Sequence, residues 1–180
     1  FPTLTKVVGA FATVAKAAIK AVVVAFTAAA AAMTALTISS LKSGDQLAKT
    51  ADKIGVTTEA LAGLRHAAEL TGVSAGTMDM AMQRLTRRVS EAANGTGEAV
   101  GALHELGINA AELEQLPLDK QMSVIADSMA KVKNQSDKVR LAMKLFDSEG
   151  VALVNTLAGG SEGLAKMAEE ANILGLAMSR

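Results

Sequence analysis

The chain has 180 residues, half of them apolar, with 18 Lys+Arg against 18 Asp+Glu, four Phe, two His and no Cys, Trp or Tyr. Without cysteine there is no disulfide framework, no thiolate zinc site and no cysteine nucleophile, and two histidines leave little for metal or general-base chemistry. The zero net charge conceals a division: residues 1–44 hold four lysines (Lys6, Lys16, Lys20, Lys42) and no acid, which leaves 14 basic against 18 acidic groups, a net of −4, for residues 45–180.

The chain opens on Phe1 rather than Met, so it is expected to be a portion of a longer protein. Helix formers abound, Pro occurs only at Pro2 and Pro117, and no segment reads as a strand. The expected fold class is all-α: a long apolar N-terminal helix over 1–43, followed by a multi-helix domain of short helices over 44–180. The second part, roughly 130 residues, is long enough to bury one core.

In the arm, Leu4, Val8, Phe11, Ala15, Ile19, Val22, Phe26, Ala30 and Met33 recur at steps of mostly 4, 3, 4. That is close to an eleven-residue repeat of ~3.67 residues per turn, which favours straight or weakly right-handed helix packing. Lys6, Thr13, Lys16, Lys20, Thr27 and Thr34 share a narrow opposite face, which Val24 and Ile38 interrupt. Val8, Phe11, Ile19, Val22, Phe26, Met33 and Leu36 are therefore the candidate oligomer-facing or membrane-facing residues.

From Ala21 to Leu41 no residue is charged, about 31 Å of helix at ~1.5 Å rise against a hydrocarbon core of ~30 Å. Only eight of these residues are large and apolar, beside eight Ala and five Thr or Ser. At roughly −0.5 kcal/mol each, the eight supply about −4 kcal/mol, a marginal span. Three readings stay open: self-association through small residues that let helix backbones approach, conditional membrane insertion, and an intramolecular core helix. The run is too long and too far from the chain start for a cleaved signal peptide.

Beyond Lys42-Ser43-Gly44 a connector of the form Gly-[Val/Ile]-[Thr/Ser/Asn] occurs three times, at Gly55-Val56-Thr57, Gly72-Val73-Ser74 and Gly107-Ile108-Asn109. The glycine closes one helix in the left-handed conformation, and the polar residue caps the next. The residue between them is spaced to pack on Leu61, Met78 or Leu113, the fourth residue of the new helix. Asn109 with Glu112 reads as a capping box. These signals predict helices at about 45–54, 58–71, 75–93, 97–106, 110–115, 119–133, 136–148, 150–158 and 161–174. Asn94-Gly95-Thr96-Gly97 and Gly159-Gly160 are expected to be flexible joints.

Ala51, Gly55, Leu61 and Leu64 fall at the spacings of a DNA-binding helix-turn-helix. Its reading helix offers Glu59, Ala62, Gly63, Arg65 and His66, of which only Arg65 suits guanine; the plainer reading is a helix pair with the same packing. Arg84, Arg87 and Arg88 share a helix face and are candidate phosphate or partner contacts, but Asp79 and Glu91 flank them and no aromatic residue is near. Gly95-Thr-Gly97-Glu-Ala-Val-Gly101 lacks the spacing and preceding strand of a dinucleotide loop. His66 and His104 do not stand at zinc-hydrolase spacings, and the acid pairs Glu112 with Glu114 and Glu169 with Glu170 read as solvated faces. The methionines, among them Met78, Met80, Met82, Met122, Met129, Met143, Met167 and Met178, are expected to fill core or interface. No enzyme signature, cofactor site or metal site is expected.

The stretch Leu47-Ala-Lys-Thr-Ala-Asp-Lys-Ile-Gly-Val-Thr-Thr-Glu-Ala-Leu-Ala-Gly-Leu-Arg-His-Ala-Ala-Glu-Leu-Thr-Gly-Val-Ser resembles the tape measure proteins of long-tailed bacteriophages. The likeness continues through Met82-Gln-Arg-Leu, Ala93-Asn-Gly-Thr-Gly-Glu-Ala, Ala102-Leu-His-Glu-Leu-Gly-Ile-Asn and Leu116-Pro to Leu145-Phe-Asp-Ser-Glu-Gly-Val-Ala-Leu-Val, covering roughly residues 45–175. The resemblance implies a non-enzymatic virion protein. Such a chain runs inside the tail tube in a few copies, sets tube length during assembly, and leaves ahead of the DNA on infection, helping to form a channel through the host membrane. The implied partners are itself and tail tube or tail tip proteins. The alternative is a membrane-tethered helix-turn-helix regulator that contacts DNA through Arg65, Arg84, Arg87 and Arg88.

Overall fold

The computed structural model describes residues 44–174, and the arm with its candidate stripe from Val8 to Leu36 lies outside them. The helix over 44–54 is α1. It is followed by α2 (Thr58–Leu70), α3 (Ala75–Ala93), α4 (Ala99–Glu105), α5 (Ala110–Glu114), α6 (Leu118–Lys131), α7 (Gln135–Phe146), a 3-10 turn (Asp147–Glu149), α8 (Gly150–Leu157) and α9 (Gly160–Ile173). No strand occurs among the described residues, and among them no helix is long and apolar enough to cross a membrane.

The helix ends follow from the connectors. Gly55, Gly72 and Gly107 take φ of +76°, +84° and +69°, conformations open to a residue without a Cβ. The N–H of the next residue then reaches five residues back: Val56 to Ala51 O at 3.0 Å, Val73 to Ala68 O at 2.8 Å, Ile108 to Leu103 O at 2.9 Å. This is the Schellman closure, which satisfies carbonyls a helix end would leave bare. The caps follow at once, with Thr57 Oγ1 accepting from Ala60 N, Ser74 Oγ from Thr77 N, and Asn109 Oδ1 from Ala111 N and Glu112 N.

Two expectations need correction. Residues 94–97 are not a slack joint: Gly95 at φ +72° makes a fourth Schellman closure, Thr96 N to Glu91 O at 2.9 Å, and α4 begins at Ala99 rather than Gly97. Glu112 does not complete a capping box by accepting from the Asn109 backbone; its carboxylate accepts from the Asn109 side-chain amide at 3.0 Å. The methionines divide, with Met78, Met82, Met122 and Met129 in the core and Met80 and Met143 about half exposed.

Alanine and glycine set how closely the helices pack. The core joins Leu61, Ala67 and Ala68 of α2 to Met78, Met82 and Leu85 of α3, Leu103, Met122, Ile125, Leu145, Phe146 and Leu153. Helix α9 lies against both α2 and α6. At the α2–α9 crossing Gly63 is buried, and a Cβ there would stand 2.7 Å from the Cβ of Ala168 and 3.2 Å from its Cα. Backbones this close require a glycine.

This geometry fixes a sign. Gly→Ala inside a helix ordinarily stabilises by about 0.5–1 kcal/mol, but Gly63→Ala inserts a methyl group against backbone that cannot yield, an overpacking cost of about 1–3 kcal/mol. Urea unfolding should show Gly63→Ala less stable than wild type and the pair with Ala168→Gly partly restored.

Candidate functional site

Helix α3 buries Met78, Ala81, Met82, Leu85, Val89 and Ala92, and Arg84 and Arg88 border that stripe. The expected shared basic face does not form, because helical spacing sets where side chains start and tertiary partners set where they end. Arg84 leans over the 3-10 turn: its guanidinium donates to Asp147 Oδ2 at 2.7 Å, and its Nε lies 2.6 Å from Glu149 Oε2. Arg88 is buried, between Glu98 at 3.5 Å and Asp147 at 3.7 Å. Arg87 alone stays on the outer face and pairs with Glu91 at 2.8 Å. Two cations thus meet three carboxylates, Glu98 before α4 and Asp147 and Glu149 of the 3-10 turn. A phosphate would enter a site that is already neutralised.

Asp147 is held in a conformation its residue type resists. Its φ of 61° and ψ of −143° fall in a region used almost only by glycine, at about 1–3 kcal/mol of strain, and it is the one non-glycine with positive φ among the described residues. Several contacts hold it there. Its N–H donates to Met143 O, its Oδ1 accepts from Ser148 N, and Arg84 grips Oδ2. Three residues on, Gly150 presses so closely on α7 that a Cβ would collide with the carbonyl of Ala142.

The other cationic forks are also occupied. Arg65 makes a bidentate pair with Asp79, Nε to Oδ1 at 2.8 Å and Nη2 to Oδ2 at 2.6 Å, tying α2 to α3. Arg140 bridges Glu105 of α4 and Asp137 of its own helix. Those hydrogen bonds, to Glu105 first and Asp137 second, raise the Arg140 pKa above its ordinary range, and Arg140 in turn lowers that of Glu105. Beside this pair an open groove is floored by Val139 and Met143 and rimmed by Glu98, Arg140, Lys144 and Asp147.

The candidate reading helix is not available to a groove. Every residue of α2 from Leu61 to Ala68 is buried or half-buried. Gly63 meets α9, and His66 Nε2 stands 3.7 Å from Glu170. His104 is exposed at the end of α4. Among the described residues no group of three His, Asp or Glu side chains is arranged to hold a metal ion.

One residue absent from the expected set is Asp127. From α6 its Oδ1 accepts the Ser161 N–H at 2.7 Å and so caps α9 from another helix, under Gly160 at φ +65°. The Ser161 backbone N–H, then its hydroxyl, hold the Asp127 carboxyl below the ordinary 3.8. The one local signal was Gly159-Gly160, read as slack; nothing there names a capping residue 34 positions away.

Comparison with family models, with curated proteins and with solved structures finds no match to this chain.

The Asp127 cap gives a signed pH dependence. Its folded pKa lies below the unfolded value, so the stability it contributes is present above about pH 4 and is lost as the pH falls through the folded value. Asp127→Ala should lower the unfolding free energy at pH 7 by about 1 kcal/mol, as losing a helix cap does. The gap between variant and wild type should narrow on acidification in urea titrations run from pH 7 to pH 2.

Proposed function

We propose that this chain is a portion of a tape measure protein of a long-tailed bacteriophage: a non-enzymatic virion component inside the tail tube. The observation that carries the reading is the order and spacing, along roughly residues 45–175, of phrases that resemble that family. The side-chain chemistry supports it. All five arginines of the described residues, Arg65, Arg84, Arg87, Arg88 and Arg140, are paired with carboxylates, and all but Arg87, which pairs within α3, join separate elements.

In this reading the helical domain packs against tail tube or tail tip proteins. The arm, about 3–41, associates with copies of itself or enters the host membrane when the genome is ejected. Setting tail length belongs to the whole gene product and comes from the resemblance alone. Nothing in the geometry favours the DNA-binding alternative, since Arg65 is committed to Asp79 and α2 is covered by α9.

The test is light scattering on residues 1–180 and 43–180, each with and without lipid vesicles and with duplex DNA. The full chain should form a defined oligomer or bind vesicles, the shortened one should be a monomer, and neither should bind duplex DNA at ~0.15 M salt. Two lipid-indifferent monomers would remove the role given to the arm. Salt-sensitive duplex binding lost in Arg65→Ala would transfer the chain to the DNA-binding class.

A further inference from the structure

We propose that the α7–α8 joint is a hinge through which two copies of this chain exchange α8 and α9, with Arg84 and Arg88 as the latch that keeps each copy closed. The argument starts from how little separates the two helices. Glu149 (φ −69°, ψ −21°) and Gly150 (φ −57°, ψ −36°) are already helical, and Ser148 lies inside the 3-10 turn. Only Phe146 (φ −118°, ψ 4°) and Asp147 (φ 61°, ψ −143°) depart. Returning those two to ordinary helical angles joins α7 and α8 into one helix over 135–157, about 34 Å long at ~1.5 Å per residue.

The joint differs in kind from the others. Where positive φ closes a helix at Gly55, Gly72, Gly95 and Gly107, glycine adopts it freely. At Asp147 an L side chain is forced into it, so straightening releases strain, and strained short hinges invite exchange. Straightening within a single molecule would strip Leu153, Val154 and Leu157 out of the core. A second copy removes that obstacle, because α8 and α9 of each chain then fill the same sites in the other. The Thr71–Thr156 hydrogen bond, the Gly63–Ala168 crossing and the Asp127 cap on Ser161 all re-form between chains. What differs between closed and exchanged forms is the hinge itself and its ion pairs to α3.

The experiment uses the full chain, unfolded and refolded at high concentration, with oligomeric state read by light scattering. The chain has no cysteine, so Ser136→Cys and Asn155→Cys can carry a spin-label pair for an intrachain distance in dimers diluted with unlabelled protein. Asp147→Ala and Asp147→Gly both delete the carboxylate that Arg84 grips, but only glycine accepts the bent backbone. Asp147→Ala should therefore raise the dimer fraction severalfold over Asp147→Gly. Arg84→Gln, which weakens the latch and leaves the strained residue in place, should also raise it over wild type. In the dimers the label distance should lengthen to about 28 Å, the span of 19 helical residues. Equal dimer fractions for the Ala and Gly variants, no excess for Arg84→Gln, or dimers that keep the shorter distance of the bent joint would overturn the proposal. The last result would also identify association through the arm, which leaves the joint bent.

Discussion

Each helix leaves four N–H groups at its start and four C=O groups at its end without partners of its own, and from residue 44 to residue 173 the chain starts a new helix every dozen residues or so. At three of the joints those groups are met inside the connector. A glycine at positive φ turns the chain, the following N–H reaches back five residues, and a Thr, Ser or Asn oxygen accepts a free N–H from the first turn of the next helix. The apolar residue between them is left to face the core, as Val73 does. Three residues thus close one helix, open another and set the angle between them. The short α5 depends on this most, since five residues are far below the length at which a helix persists alone in water.

Two joints depend on residues far away in sequence, and both involve the C-terminal helices. Helix α9 begins at Gly160 after Gly159, glycines that supply no side-chain capping oxygen, and the oxygen comes from Asp127 on α6. Helix α8 begins after a strained aspartate that arginines of α3 hold in place. The glycine connectors need only their neighbours in sequence, whereas these two need distant helices already docked. Such long-range contacts must first offset the entropy of closing the intervening chain. The N-terminal part of the domain is built from local rules, and α8–α9 is held to it by tertiary ties.

That division also explains what could be read in advance. The three connectors, the caps at Thr57, Ser74 and Asn109, and most helix bounds were legible because each depends on a few adjacent residues. The break between α7 and α8 was placed close to Glu149-Gly150, but nothing in Phe146-Asp147-Ser148 announces that Asp147 takes φ of 61°; Arg84, 63 residues away, is part of the cause. The three arginines were correctly put on one turn of α3, yet periodicity does not say that Arg88 is buried while Arg87 is not. The Asn94–Gly97 segment was misread for a simpler reason: glycine beside polar residues marks slack loops and tight Schellman closures alike. Gly63 stood in the sequence only as one residue of the candidate reading helix, and nothing local shows that it meets Ala168 of α9, a hundred residues further along.

The charge pattern then limits what surface remains for function. With Arg180 outside the described residues, these carry 13 basic and 18 acidic groups, and every arginine among them is spent on a carboxylate. The cations left over are lysines, strongly hydrated point charges that lack the planar fork by which arginine grips phosphate. Their net charge is therefore −5, and its field reaches about a Debye length, 8–10 Å in physiological salt. The arginine charge thus goes into ion pairs within residues 44–174, while the acid-free, lysine-bearing segment lies before residue 44, the uneven division of charge with which the sequence began.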